Sequence, residues 1–160
     1  MTSPPLHVLG RRTAVRERGI ALVEFVITAP FVFLLLLGSA EIGRAFIHYS
    51  TLTYAVRDAT RFVTTNSING TTGVVDLSST TVTQAQNLAV YGHVGGTGTA
   101  RLPRFQTSQV AVADVGDNNI SVTAAYPYQP MIGPILPGFT GDSLDLGFTM
   151  VVAVTMRAIS

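Results

Sequence analysis

The chain has 160 residues, room for one domain-sized unit plus an N-terminal extension, and no cysteine, which excludes disulfide staples and thiolate metal sites. Charged residues make up 12% of it and mean hydropathy is +0.40, both displaced from a soluble domain, where about a quarter of residues are charged. Net charge is +1, but Arg11, Arg12, Arg16 and Arg18 all precede Gly19 and the remainder is net acidic, so no extended basic face is legible for a nucleic-acid backbone, which argues against nucleic acid as a partner.

Residues 1–19 read as a basic cytoplasmic leader, polar and disordered through Arg18. Ile20 to Ala40 then supplies 21 predominantly apolar residues. At about 1.5 Å per residue they reach roughly 32 Å, enough to cross a hydrocarbon core of about 30 Å. A secretory signal peptide has an apolar core of only about 7–15 residues, so length favours a retained anchor. Removal after Gly38-Ser39-Ala40 is the alternative. A basic head before an apolar run predicts a cytoplasmic N-terminus and an extracytoplasmic C-terminal part.

Glu24 is the only charge between Gly19 and Ala40. A carboxylate at the bilayer centre costs roughly 2.5–3.5 kcal/mol, so such residues usually face protein or water. Two placements are open: against a neighbouring helix, or reaching back to the cytoplasmic interface from barely one turn inside. Pro30 removes one backbone bond and predicts a kink or local unwinding over Val26–Pro30, where hydroxyls such as that of Thr28 can satisfy the freed groups.

Beyond residue 40 the helical period continues. Ile42, Ala45, Phe46, Tyr49, Leu52, Ala55, Val56, Ala59, Phe62 and Val63 form one apolar stripe, with Glu41, Arg44, His48, Arg57, Asp58 and Arg61 mainly off it. One unbroken helix is predicted, transmembrane over 20–40 and amphipathic over 41–63, lying on a small extracytoplasmic head formed by 64–160. In that head, 64–81 is Thr, Ser, Asn and Gly-rich and reads as loop; Gln84–Val90 is a short helix. Three strands follow, Gln109–Val115, Ile120–Tyr128 and Leu144–Arg157, the first two joined by Asp117-Asn118-Asn119 as a hairpin. The Pro-rich, apolar stretch Pro127–Gly141 is either an interaction surface or a loop folded over the sheet edge. The fold class is α+β: a long N-terminal helix on a small antiparallel sheet.

No chemistry of catalysis is legible. His7, His48 and His93 are widely spaced and make no metal-ligand cluster. No serine occupies a nucleophile elbow, and Gly95-Gly96-Thr97-Gly98 lacks a P-loop lysine. No catalytic residue, no metal and no small-molecule cofactor is therefore predicted.

Arg18-Gly19, Val23-Glu24-Phe25, Pro30, Leu34–Gly38, Glu41, Gly43-Arg44, Leu52, Ala55, Arg57-Asp58-Ala59 and Arg61-Phe62 together resemble the TadE-like family of minor pilins, or pseudopilins, of the tight-adherence (Flp) branch of type IV pilus systems. The resemblance implies a pilin-like fold and cleavage after Gly19 by a membrane prepilin peptidase, leaving Ile20 as the new N-terminus. Ile20 stands where the broader type IV class has phenylalanine. Glu24 matches the family's assembly glutamate and Phe25 the aromatic that follows it. Implied partners are the peptidase, other pilins and pilus-assembly membrane proteins, and the lipid bilayer; the implied role is pilus assembly and surface adhesion from the bacterial cytoplasmic membrane. Physical chemistry supports that role: a new amine at Ile20, with a reference pKa near 8, is largely cationic at neutral pH and compensates a carboxylate on a neighbouring subunit. An unprocessed single-pass protein with an extracytoplasmic binding or scaffold domain is the alternative.

Overall fold

The computed structural model describes residues 13–68, 75–131, 133, 135–137, 143–145 and 147–158; the expected leader through residue 12 and parts of the proline-rich stretch lie outside them. In chain order come helix α1 (Thr13–Asn66), helix α2 (Ser79–Tyr91), a 3-10 turn at Thr107–Gln109, and strands β1 (Val110–Gly116), β2 (Asn119–Tyr128), β3 (Ile135–Pro137), β4 (Ser143–Asp145) and β5 (Phe148–Arg157). An antiparallel sheet has the order β1-β2-β5, and β3 pairs with β4 in a separate two-stranded sheet. The fold is α+β, as the residue pattern predicts. The chain divides into two compact units, Met1–Ala40 and Glu41–Ser160.

In the first unit, α1 begins at Thr13, so residues 13–18 are helical where a disordered leader was expected. Ala14, Arg16, Glu17 and Arg18 are strong helix formers, and no proline interrupts the chain between Pro5 and Pro30. From Ile20 to Leu37 the large apolar side chains are all more than half exposed. A helix apolar on every side is either a core helix or a membrane span, and here the apolar segment is not buried at all. Helical conformation continues across Pro30. The Thr28 hydroxyl donates to the carbonyls of Glu24 (2.9 Å) and Phe25 (3.3 Å), whereas the carbonyl deprived of its donor by Pro30 is that of Val26.

The second unit has its own core. From α1 it takes Leu52, Val56, Ala59 and Val63, from α2 Ala85, Ala89 and Val90, and from the sheet Val110, Ile120, Val122, Ala124, Tyr126, Met150 and Val152. β2 is the middle strand, and its buried face runs through Ile120, Val122, Ala124, Tyr126 and Tyr128 by strict alternation. Opposite them in register stand Met156, Val154, Val152, Met150 and Phe148 of β5. The hairpin loop is Asp117-Asn118, both at positive φ (53° and 59°), the backbone that a two-residue hairpin with the sheet's own twist demands.

Three further expectations are corrected. α2 starts at Ser79 rather than Gln84, because the Ser78 side chain caps it by accepting the Thr81 N–H at 3.1 Å and Thr81 is buried along with Ala85 and Ala89. It ends at Gly92, whose φ of 74° suits a helix terminator. The strand expected over Leu144–Arg157 is two: β5 pairs with β2 only as far as Phe148 opposite Tyr128, after which Gln129-Pro130 end β2, and 143–145 pair with β3 instead. β3 in turn places a strand inside the stretch read as irregular loop.

The third correction concerns the stripe on α1. Leu52, Ala55, Val56, Ala59 and Val63 are buried as expected, but Ile42 is 74% exposed and Phe46 71%. His48, assigned to the polar side, is buried and Glu41 half-buried. The inward line is thus 41, 45, 48, 52, 56, 59 and 63, at helical spacings of three and four. Polar residues occupy its start because the end of β2 offers them hydroxyl partners.

Candidate functional site

The residues expected to direct processing and assembly lie close together on α1. Gly19 is inside the helix, exposed, with nothing within 4 Å of where a Cβ would stand and no positive φ. Glycine in a helix interior costs about 1 kcal/mol relative to alanine. The fold supplies no steric reason for it here. Ile20 and Phe25 are each 64% exposed. Glu24 lies one turn beyond Ile20 on the same side of the helix. Its carboxylate is exposed and makes no hydrogen bond or ion pair among the described residues. Ile20, Glu24 and Phe25 are therefore all presented outward.

A second constellation, which the residue pattern did not reveal as a site, surrounds the first helical turns of the head. One oxygen of the Glu41 carboxylate accepts the Tyr128 hydroxyl and the other accepts the Met131 N–H at 3.1 Å. The Arg44 guanidinium lies 6.0 Å from the centre of the Tyr128 ring, a cation–π distance. His48 meets Tyr126 and Tyr128 edge to face, with ring centres 5.9 and 5.4 Å away. The Tyr126 hydroxyl donates its proton to the Pro103 carbonyl at 3.1 Å, so in its 3.4 Å contact with His48 Nδ1 the phenol oxygen accepts and Nδ1–H donates. Polar residues at inward positions of an otherwise apolar stripe were the available signal.

Electrostatics follow from that packing. Burial pushes the Tyr128 phenol up to about 12, reinforced by its hydrogen bond to the Glu41 carboxylate. Burial also lowers the His48 imidazole, with Arg44 acting in the same direction and Glu41 against it. A base whose folded pKa is lowered binds its proton first in the unfolded chain, so its stabilising share is present above pH 6.5 and is lost as pH falls through the folded value. Thermal unfolding of the full chain in detergent between about pH 5 and 8 should show that decline, and His48→Gln should flatten it. An unchanged slope in the variant would assign the decline to other groups.

A helix long and apolar enough to cross a membrane, leading into a small α+β head, defines the class: a protein with one candidate membrane span among the described residues. Within that class, residues 19–61 match the family model of the TadE-like protein. The match begins at Gly19 and takes in Ile20, Glu24, Phe25, Pro30, Glu41, Arg44 and His48, a little over a quarter of the chain. TadE-like proteins are a structural family associated with Tad-type pilus systems. Searches of the curated proteins and of the solved structures returned no match.

Proposed function

We propose that the chain is a minor pilin or pseudopilin of a tight-adherence pilus. It is made as a precursor with a cytoplasmic N-terminus, cut between Gly19 and Ile20 by a prepilin peptidase, and held in the bacterial cytoplasmic membrane by its apolar helix. It then joins other pilins through that helix, with the Ile20 amine and Glu24 compensating each other between subunits, and supports pilus assembly and surface adhesion. The observation carrying the proposal is the family match that opens at Gly19, a glycine for which the fold itself has no use. An exposed glycine with no steric duty fits recognition by an outside agent.

A second reading, an unprocessed single-pass protein with an extracytoplasmic binding or scaffold head, draws on one observation. α1 starts at Thr13, so the Gly19–Ile20 bond is helical and must unwind before a peptidase can reach it. Gly19 is the least helix-favouring residue of that segment, which eases local unwinding there. Intact mass and N-terminal analysis of the membrane fraction decide between the readings. An N-terminus at Ile20 is expected. An intact leader would favour the unprocessed anchor, and an N-terminus at Glu41 would sink the pilin proposal in favour of export.

A further inference from the structure

Where β2 leaves the sheet, the head carries a cavity of about 250 Å³ lined by Arg44, Arg104, Tyr126, Gln129, Pro130 and Met131, with Pro103 and Pro127 completing the wall. We infer that this cavity binds a phosphate group through the guanidiniums of two of its lining residues, Arg44 on α1 and Arg104 in the loop after α2.

Two forked cations converging from separate elements are the usual means of gripping a phosphate, because each guanidinium presents paired N–H donors to two of its oxygens. Neither arginine is in an ion pair among the described residues, where Arg101 pairs with Asp58 at 2.9 Å. Arg104 donates to the Gln129 side-chain carbonyl, which uses part of its five-donor fork and leaves the rest for an incoming oxygen. Both cations oppose the rise that burial gives the Tyr126 phenol, so the fields of both reach the cavity wall. The Glu41 carboxylate, the nearby charge of opposite sign, is engaged by Tyr128 and the Met131 N–H and does not line the cavity.

The backbone at Arg104 adds an independent point. Its φ is 61°, a conformation otherwise held among the described non-glycine residues by Asp117 and Asn118, types that tolerate it. Asparagine or glycine would make the same turn with less strain, so the turn has no need of arginine and the guanidinium is what the residue contributes. The volume falls below the roughly 300–1,000 Å³ of pockets that take drug-sized ligands, which limits the occupant to a small group. A lipid phosphate and dissolved phosphate present the same oxygens to a guanidinium, so either can be the source of the anion.

The inference rests on the 20–40 span and not on cleavage or assembly. Its test uses the full chain. In detergent, inorganic phosphate should raise the unfolding temperature in a saturable manner. In phosphatidylcholine vesicles, spin-labelled phosphatidylglycerol should be motionally restricted about threefold or more over spin-labelled phosphatidylcholine. Arg104→Asn removes the cation at a position whose backbone suits asparagine, so it should fold as the parent does and lose most of either effect; Arg44→Gln should do likewise. Lipid selectivity lost in Arg104→Asn supports the site with a lipid as its source. A phosphate shift lost in that variant without lipid selectivity in the parent supports the site with dissolved phosphate as its source. Absence of both effects in the parent, or their persistence undiminished in Arg104→Asn, overturns the inference.

Discussion

Glu24→Ala is expected to reach the membrane in at least parental amounts and to fall at least about tenfold in sheared pili, the ratio that corresponds to about 1.4 kcal/mol. The two expectations have opposite signs for a physical reason. Removing the carboxylate relieves an insertion cost of up to roughly 2.5–3.5 kcal/mol, so membrane entry should not suffer. Assembly should suffer, because the carboxylate has no partner among the described residues of its own chain and its proposed compensation comes from a neighbouring subunit's amine. Quantifying the protein in membrane and sheared-pilus fractions separates the two effects. Parental incorporation of the variant would remove the pairing from the proposed mechanism and leave Glu24 as a residue reaching for the interface.

The second large effect lies in the head. Leu52→Ala should lower stability by about 2–5 kcal/mol, since Leu52 is fully buried and its neighbours come from a close-packed core. Ile42→Ala, on the same helix and assigned to the same apolar stripe by periodicity, should change stability by no more than about 0.5 kcal/mol because Ile42 stands in the open. Thermal or denaturant unfolding of the full chain in detergent measures both. Equal losses would restore the stripe read from periodicity and refute the inward line through Glu41, Ala45 and His48.

Much of the fold was legible because period and punctuation are local properties. The apolar run from Ile20, the alternation through Ile120, Val122, Tyr126 and Tyr128, and the turn read at Asp117-Asn118-Asn119 each depend on neighbours in the chain; the run and the alternation stand where the pattern puts them, and the turn closes on Asp117-Asn118 with Asn119 opening β2. Thr81 was misread because β-branched threonine resembles loop composition, whereas a Ser78 cap and a buried face outweigh weak propensity. The break between β4 and β5 escaped notice because alternation continues in phase across Leu144 to Met156. Only the end of β2, the partner strand, says where pairing must stop.

The residues proposed for processing and assembly could be picked out of the sequence by their type. Gly19, Glu24 and Pro30 are conspicuous in an apolar run by type alone, and the family match opens at the first of them. The polar constellation of Glu41, Arg44, His48, Tyr126 and Tyr128 was not legible, since its members lie up to 87 residues apart and no local spacing joins them. Nor was the cavity between Arg44 and Arg104.

By itself, then, the sequence determined that an apolar helix of spanning length carrying one carboxylate precedes a small α+β head, because hydropathy and periodicity act residue by residue. The tertiary structure alone decided which side of that helix the head covers. A helix with apolar residues on two faces is ambiguous until a partner arrives, and Tyr126 and Tyr128 at the end of β2 resolve it. Tyr128 donates a hydrogen bond to Glu41 and Tyr126 accepts one from His48, which turns those two residues inward and leaves Ile42 and Phe46 outside.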